Sequence, residues 1–240
     1  MSVYSNAAAE PVEVQTRNRW TETYVKWSPL GTYLATFHTR GIALWGGDDF
    51  HQITKFSHAD VEFIEFSPCE KYIVTFSPKT SNVTEDPTAI IVWDCRTGAK
   101  KRAFHSEIPI VWPVFRWSHD DKFFARMTQD GNLSVYETPG FGLLDKKSIK
   151  VEGLRGFSWS PKDNIIAYWV AESKDVPARV CLLEIPSRKE LRVKSPWAFV
   201  DLNNKKITFQ KMNDIILDKF ETLKMKDDKD SLKLKEHNVR

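Results

Sequence analysis

The stretch Phe66-Ser-Pro-Cys-Glu-Lys-Tyr-Ile-Val-Thr-Phe76 places an aromatic residue before a polar turn and an apolar run after it. That order predicts two short strands and a tight connection. The ring ends one strand, Pro and its polar neighbours turn the chain, and branched and aromatic residues build the next. The same word recurs without gaps as Trp27-Ser-Pro-Leu-Gly-Thr-Tyr-Leu-Ala-Thr-Phe37, Trp117-Ser-His-Asp-Asp-Lys-Phe-Phe-Ala-Arg-Met127 and Trp159-Ser-Pro-Lys-Asp-Asn-Ile-Ile-Ala-Tyr-Trp169. Word starts lie 39, 51 and 42 residues apart, the period of folds that repeat a four-stranded unit. The longest interval contains an insertion, Pro78 to Pro87, whose Ser, Thr, Asn and Asp content predicts a loop.

A second motif trails each word at a similar lag. It reads Gly41-Ile-Ala-Leu-Trp45, Ala89-Ile-Ile-Val-Trp-Asp94, Asn132-Leu-Ser-Val-Tyr136 and Arg179-Val-Cys-Leu-Leu183, and predicts third strands closed by turns such as Gly46-Gly47, Thr97-Gly98 and Pro139-Gly140. More polar fourth strands are expected at Gln52 to Phe56, Lys101 to Phe104, Ser148 to Val151 and Glu190 to Val193. Polar residues suit an outermost strand, whose open edge has to resist pairing with other chains. The predicted fold is therefore all-β: a WD40-like β-propeller fragment of about four blades spanning residues 20–195.

Either side of the repeats the pattern changes. Met1-Ser2-Val3-Tyr4 matches Leu133-Ser134-Val135-Tyr136, so residues 1–19 read as the third and outer strands of an incomplete first blade. Trp197 to Leu202 and Lys205 to Phe209 predict a hairpin about Asn203-Asn204. Met212, Ile216, Phe220 and Leu223 have helical spacing and predict a short amphipathic helix, to dock a partner or to cover the last blade's edge. Residues 224–240, almost all charged, are expected to be disordered.

Composition narrows the function classes. The 9 Trp and 15 Phe suit short-stranded sheets, where flat rings fill the space between layers. A formal charge of +3 from 35 basic and 32 acidic side chains is near balance, so it permits nucleic-acid contact without demanding it. Cys69, Cys95 and Cys181 lie far apart without a Cys-x-x-Cys pair, which predicts free thiols in a reducing compartment. Residues 1–6 carry no basic or apolar leader, and the apolar run Ile165 to Ala171 is too short to span a bilayer. A soluble, cytoplasmic chain is expected.

Residue types for hydrolysis are present in Trp93-Asp94, His58, His105 and Ser67. Ser67, however, follows an aromatic strand end instead of occupying a Gly-x-Ser-x-Gly elbow, and no helical half supplies an oxyanion hole. These residues are expected to pin turns, and no catalytic residue is assigned. His and Cys form no ligand cluster, and Gly46-Gly47 is a hairpin turn without the Lys of a phosphate loop, so no metal, cofactor or small-molecule substrate is expected. Trp112-Pro113 has the residue type of an interface anchor, but its place before a first strand favours packing on the neighbouring blade.

Longer runs carry a resemblance. Arg19-Trp-Thr-Glu-Thr-Tyr-Val-Lys-Trp-Ser-Pro29, Arg40-Gly-Ile-Ala-Leu-Trp-Gly-Gly47, the word at Trp117, Tyr136-Glu-Thr-Pro139 and Gly142-Leu-Leu-Asp-Lys-Lys-Ser148 closely resemble the B subunit of eukaryotic translation initiation factor three. The likeness is placed between about Pro11 and Lys194. It implies a non-enzymatic scaffold whose partners are other subunits of that factor and the small ribosomal subunit, both protein and rRNA. It also implies that the family's RNA-recognition domain and most of its later blades are missing from this chain. Ser-Pro words occur too in peptidase-associated and TolB-like propellers, which leaves a propeller module of that kind, or a truncated non-functional product, as the alternatives.

Within this resemblance one repeated feature gains a reading. Lys100, Lys101 and Arg102, then Lys146, Lys147 and Lys150, then Arg188, Lys189 and Arg192 fall at equivalent places, the turn between third and outer strands. On one face of a propeller they would form a basic arc contacting rRNA phosphates. Edge protection by Lys on outer strands is the competing reading.

Overall fold

The computed structural model describes residues 1–191, apart from 8, 79–87, 108 and 175–177. Most of the predicted insertion loop lies outside the described residues, as do the hairpin at 197–209, the helix at 212–223 and the tail at 224–240. Each repeat is a four-stranded antiparallel sheet in which sequence neighbours pair. The first comprises β3 (Val25–Trp27), β4 (Leu34–His38), β5 (Gly41–Gly46) and β6 (His51–Phe56). The next contains β7 (Phe63–Phe66), β8 (Tyr72–Phe76), β9 (Ile90–Asp94) and β10 (Lys100–Phe104). The third contains β11 (Arg116–Trp117), β12 (Phe123–Met127), β13 (Asn132–Glu137) and β14 (Ile149–Lys150). The fourth contains β15 (Leu154–Trp159), β16 (Ile165–Val170), β17 (Arg179–Glu184) and β18 (Glu190–Leu191). Before them β1 (Ser2–Ser5) pairs with β2 (Val12–Thr16) in a two-stranded sheet. These are propeller-type sheets, and the four words sit at the first turn of each. The chain forms two compact units, residues 1–149 with 159–164, and residues 150–158 with 165 onward.

In the first unit the strand pleat decides which layer each side chain enters. Successive residues on a strand face opposite ways, so a central strand buried on both faces reads as continuous apolar sequence. On β8, Ile73 enters one core with Ala35, Phe37, Leu44, Phe66 and Trp93. Its neighbours Tyr72, Val74 and Phe76 enter another, with Phe115, Trp117, Phe124 and Tyr136. On β5, Ile42 and Leu44 join the former core while Ala43 and Trp45 pack with Trp20 and Leu34. Trp112 stacks on Phe63 with ring centroids 5.6 Å apart, so it is a packing residue, as its position before a first strand predicts.

The Ser of each of the first three words closes its own turn. Tyr33, Tyr72 and Phe123 donate their backbone N–H to Ser28, Ser67 and Ser118 Oγ at 2.9, 3.0 and 2.9 Å. Two residues after Pro or His, the backbone enters the left-handed region, at Gly31 (φ 79°), Glu70 (59°) and Asp121 (60°). There the acids reach back to the preceding sheet. Glu70 Oε1 accepts the Leu30 N–H at 2.6 Å. Asp121 accepts from Ser67 Oγ at 2.6 Å and from the backbone N–H groups of Cys69 and Lys71 at 3.0 and 3.3 Å. Burial alone would raise the Glu70 carboxyl, but hydrogen bonds from Ser28, Thr32 and Leu30 hold it below the ordinary carboxylate value. The fourth word departs from this pattern, with Ser160 Oγ accepting from the Lys162 and Asp163 N–H groups. It ties back instead through Asn164, whose amide donates to Asp120 Oδ2 at 3.2 Å.

A second polar device pins strand to strand. Trp45 and Trp93 donate their indole N–H to Thr36 and Thr75 Oγ1, each at 2.8 Å. Each Thr hydroxyl also meets a His, His38 Nε2 at 2.9 Å and His58 Nδ1 at 2.7 Å. Burial drives the His58 imidazole down to about 4 from its ordinary 6.5, with the Lys100 charge adding to the effect.

Asp121→Ala leaves buried donors at Ser67 and Cys69 without an acceptor, so it is expected to lower unfolding free energy by about 3 kcal/mol in urea titrations, with Asp121→Asn costing less. For His58 the folded pKa lies below the unfolded one, so the unfolded chain binds more protons between them. Stability therefore falls as pH drops from about 6.5 towards 4, with a slope of at most about 1.4 kcal/mol per pH unit from this group. His58→Asn is expected to flatten that part of the stability–pH curve.

Candidate interaction surfaces

The residues available for hydrolysis are scattered into separate structural roles. Ser67 is fully buried and donates to Asp121. His58 is engaged with Thr75. Asp94 accepts the Arg96 and Thr97 N–H groups at 3.1 and 3.0 Å and pairs with Lys101 Nζ at 3.4 Å. Burial by itself would raise the Asp94 carboxyl, yet the bonds from Thr97 and Lys101 hold it below its ordinary value. His105 is exposed in the loop after β10. Burial pushes the Cys95 thiol far up, aided by the charges of Asp94, Glu70 and Asp121, so it carries no thiolate character. Among the described residues no group of His, Cys, Asp or Glu is placed to hold a metal ion. None of the described helices is long and apolar enough to cross a membrane.

The nine basic positions separate on inspection. Lys100, Lys101 and Arg102 lie within the outer strand β10, whereas the repeat alignment puts them in the turn before it. An irregularity in the register between Lys100 and Arg102 then splits them. Lys100 and Lys101 are exposed, while the Arg102 guanidinium lies over Phe104 and Tyr136, 5.0 and 5.1 Å from the ring centroids, and donates to the Phe141 carbonyl. Arg102 is thus a packing residue between sheet strands. Lys146 and Lys147 are exposed in and just after a single 3-10 turn at Leu144–Lys146, and Lys150 is exposed on β14. Arg188 is half-buried with φ 56° in the β17–β18 turn, next to exposed Lys189. Arg192 lies outside the described residues.

A further basic site in the first unit combines residues that sequence spacing keeps apart. A groove of about 750 Å³ is lined by the link after β2 (Arg17, Arg19, Trp20), the β4–β5 turn (Arg40) and β6 (Lys55), with Trp45 beneath them. The Arg17 guanidinium lies over both indoles, 5.4 Å from Trp20 and 4.7 Å from Trp45. Such stacking fixes the charge in place without neutralising it. Gly41 in this wall has φ 140°, and a Cβ there would sit 1.9 Å from the Phe56 carbonyl, so only glycine allows the hairpin to close this tightly. The acid of the groove, Glu22, accepts both the N–H and hydroxyl of Thr39, bonds that hold its carboxyl below the ordinary value. Arg17 and Arg19 precede the first repeat while Arg40 and Lys55 lie at non-equivalent places inside it, so the repeat spacing gives no sign of the group.

No known family model matches the chain. It does have close relatives among curated proteins. It is 58% identical over 215 residues to the B subunit of eukaryotic translation initiation factor 3 from Xenopus laevis, covering 90% of this chain and 30% of that protein. The Bombyx mori B subunit is 56% identical over 235 residues, covering 97% and 33%. The Drosophila melanogaster protein of the same name is 51% identical over 233 residues, covering 97% and 32%. A match over 97% of the chain extends past Lys194, where the sequence resemblance was expected to stop. Among solved structures, one described as the crystal structure of the eukaryotic initiation factor superposes with a TM-score of 0.59 at 22% identity, over 70% of this chain and 43% of that one. That likeness bears on the fold alone. The chain spans about a third of the length of the curated relatives it matches, and within that span its similarity is to the B subunit of eukaryotic translation initiation factor 3.

Proposed function

We propose that the chain is a non-enzymatic scaffold segment of translation initiation factor 3, acting in the cytoplasm to hold sister subunits and the small ribosomal subunit during the start of protein synthesis. The observation that carries this reading is the 51–58% identity to B-subunit proteins over nine tenths or more of the chain. The architecture suits a scaffold, since a surface that presents contacts has to keep them rigid. Buried acids fix the turns between sheets, with Ser67 bonded to one of them and His58 to Thr75. Exposed Lys100, Lys101, Lys146, Lys147, Lys150 and Lys189 offer charge for rRNA phosphates, where each contact adds salt-dependent affinity. A peptidase-associated or TolB-like module has no support in the relatives found.

Co-sedimentation with purified small ribosomal subunits across a salt series tests the proposal. The parent chain is expected to sediment with the ribosomal particles at low salt. Substituting the six lysines by Gln is expected to weaken that association at least fivefold and flatten its salt dependence. A parent chain that binds neither the ribosomal particles nor sister subunits would remove the scaffold role. Unchanged affinity in the Gln variant would leave the lysines as edge protection alone.

A further inference from the structure

We infer that the groove over Trp20 and Trp45 binds single-stranded RNA through its phosphates. Four cations converge on it from three segments, Arg17 and Arg19, Arg40, and Lys55. Arg19, Arg40 and Lys55 are exposed and hold no ion pair among the described residues. Glu22, the acid of the groove, stays ionised with its carboxylate bonded to Thr39 and His38 at 3.8 Å, and sets one negative charge against the four cations.

An independent observation points to a missing acceptor. Trp20 is 3% exposed and lines the groove, yet its indole N–H has no hydrogen-bond partner among the described residues. Trp45 shows the contrast, since its own N–H is satisfied by Thr36. A buried donor left open beside a cluster of arginines is an arrangement that an incoming anionic oxygen completes.

The site's size and layout favour a strand over a lone phosphate. A volume of about 750 Å³ is in the range of ligand pockets and has room for a nucleotide. Cations supplied by separate segments match a polymer that brings one phosphate per nucleotide. RNA, as opposed to another phosphorylated chain, rests on the initiation-factor role proposed above. The groove uses none of the outer-strand lysines.

The test is fluorescence anisotropy of a labelled single-stranded oligouridylate with the full chain, over a series of KCl concentrations. The variant Arg19→Gln/Arg40→Gln/Lys55→Gln is expected to lose at least about tenfold in affinity, and its log–log salt slope is expected to fall by about two, since each lost phosphate contact removes roughly 0.7 on a single strand. Trp20→Phe is expected to lose about threefold with the slope unchanged, because it removes a donor and no charge. Urea midpoints check that each variant folds. If the triple variant does not fold, Arg19→Gln and Arg40→Gln singly are each expected to lower the slope by about 0.7. Parent-like affinity and slope in folded variants would overturn the proposal, as would displacement of the RNA by a phosphoserine peptide at lower concentration than by unlabelled RNA. Co-sedimentation of the same variants with small ribosomal subunits separates the two readings. Lost RNA binding with retained ribosome association supports the groove. Groove-dependent RNA binding by a chain that associates with neither ribosomal particles nor sister subunits supports its chemistry while removing the initiation-factor role.

Discussion

Three donors of one sheet's first turn, the Ser67 hydroxyl and the Cys69 and Lys71 N–H groups, converge on the buried carboxylate of Asp121 in the next. The first unit depends on this kind of contact. A single propeller-type sheet cannot bury both of its faces, so each gains its stability from its neighbours. Apolar layers such as that of Ile73, Phe66 and Trp93 supply the driving force, but they are non-directional and tolerate sliding. The acid at the turn is directional. Glu70 does for the preceding pair of sheets what Asp121 does for the next, with its carboxylate on Leu30. One short word thus serves two purposes: its Ser closes the local turn, and its acid sets the position of the adjacent sheet.

This division of labour leaves edges and turns available for contact. The outer strands carry exposed Lys100 and Lys101, and the acids that hold the sheets are occupied inside. Function then resides in what the fold presents, and two basic surfaces differ in construction. The lysines are long and exposed, with Lys101 paired to Asp94. In the groove Arg17 is stacked on two indoles, a preorganised charge that loses less freedom when a ligand arrives.

What could be read from the sequence follows from this physics. The words at 27, 66, 117 and 159 were legible because turn chemistry and pleat periodicity act over a few residues. Their strands formed with boundaries shifted by one or two residues: the outer strand read as Lys101 to Phe104 begins at Lys100. Arg102 was not legible. It shares a basic run with two exposed lysines, and only the register shift after Lys100 and the rings of Phe104 and Tyr136 set it apart. The role of Asp121 also escaped the pattern, because an acid in a polar turn looks the same whether it faces water or the adjacent sheet. The groove was the least legible, since Arg17, Arg40 and Lys55 belong to three segments that only the packed sheets bring together.

The most direct test of the central claim is a double-mutant cycle on Ser67→Ala and Asp121→Asn, read by urea unfolding. If the acid–turn contact positions the sheets, the two changes are strongly non-additive, with a coupling free energy of about 1–3 kcal/mol. Additive losses, with coupling near zero, would contradict the account and leave the apolar layers alone to hold the sheets in place.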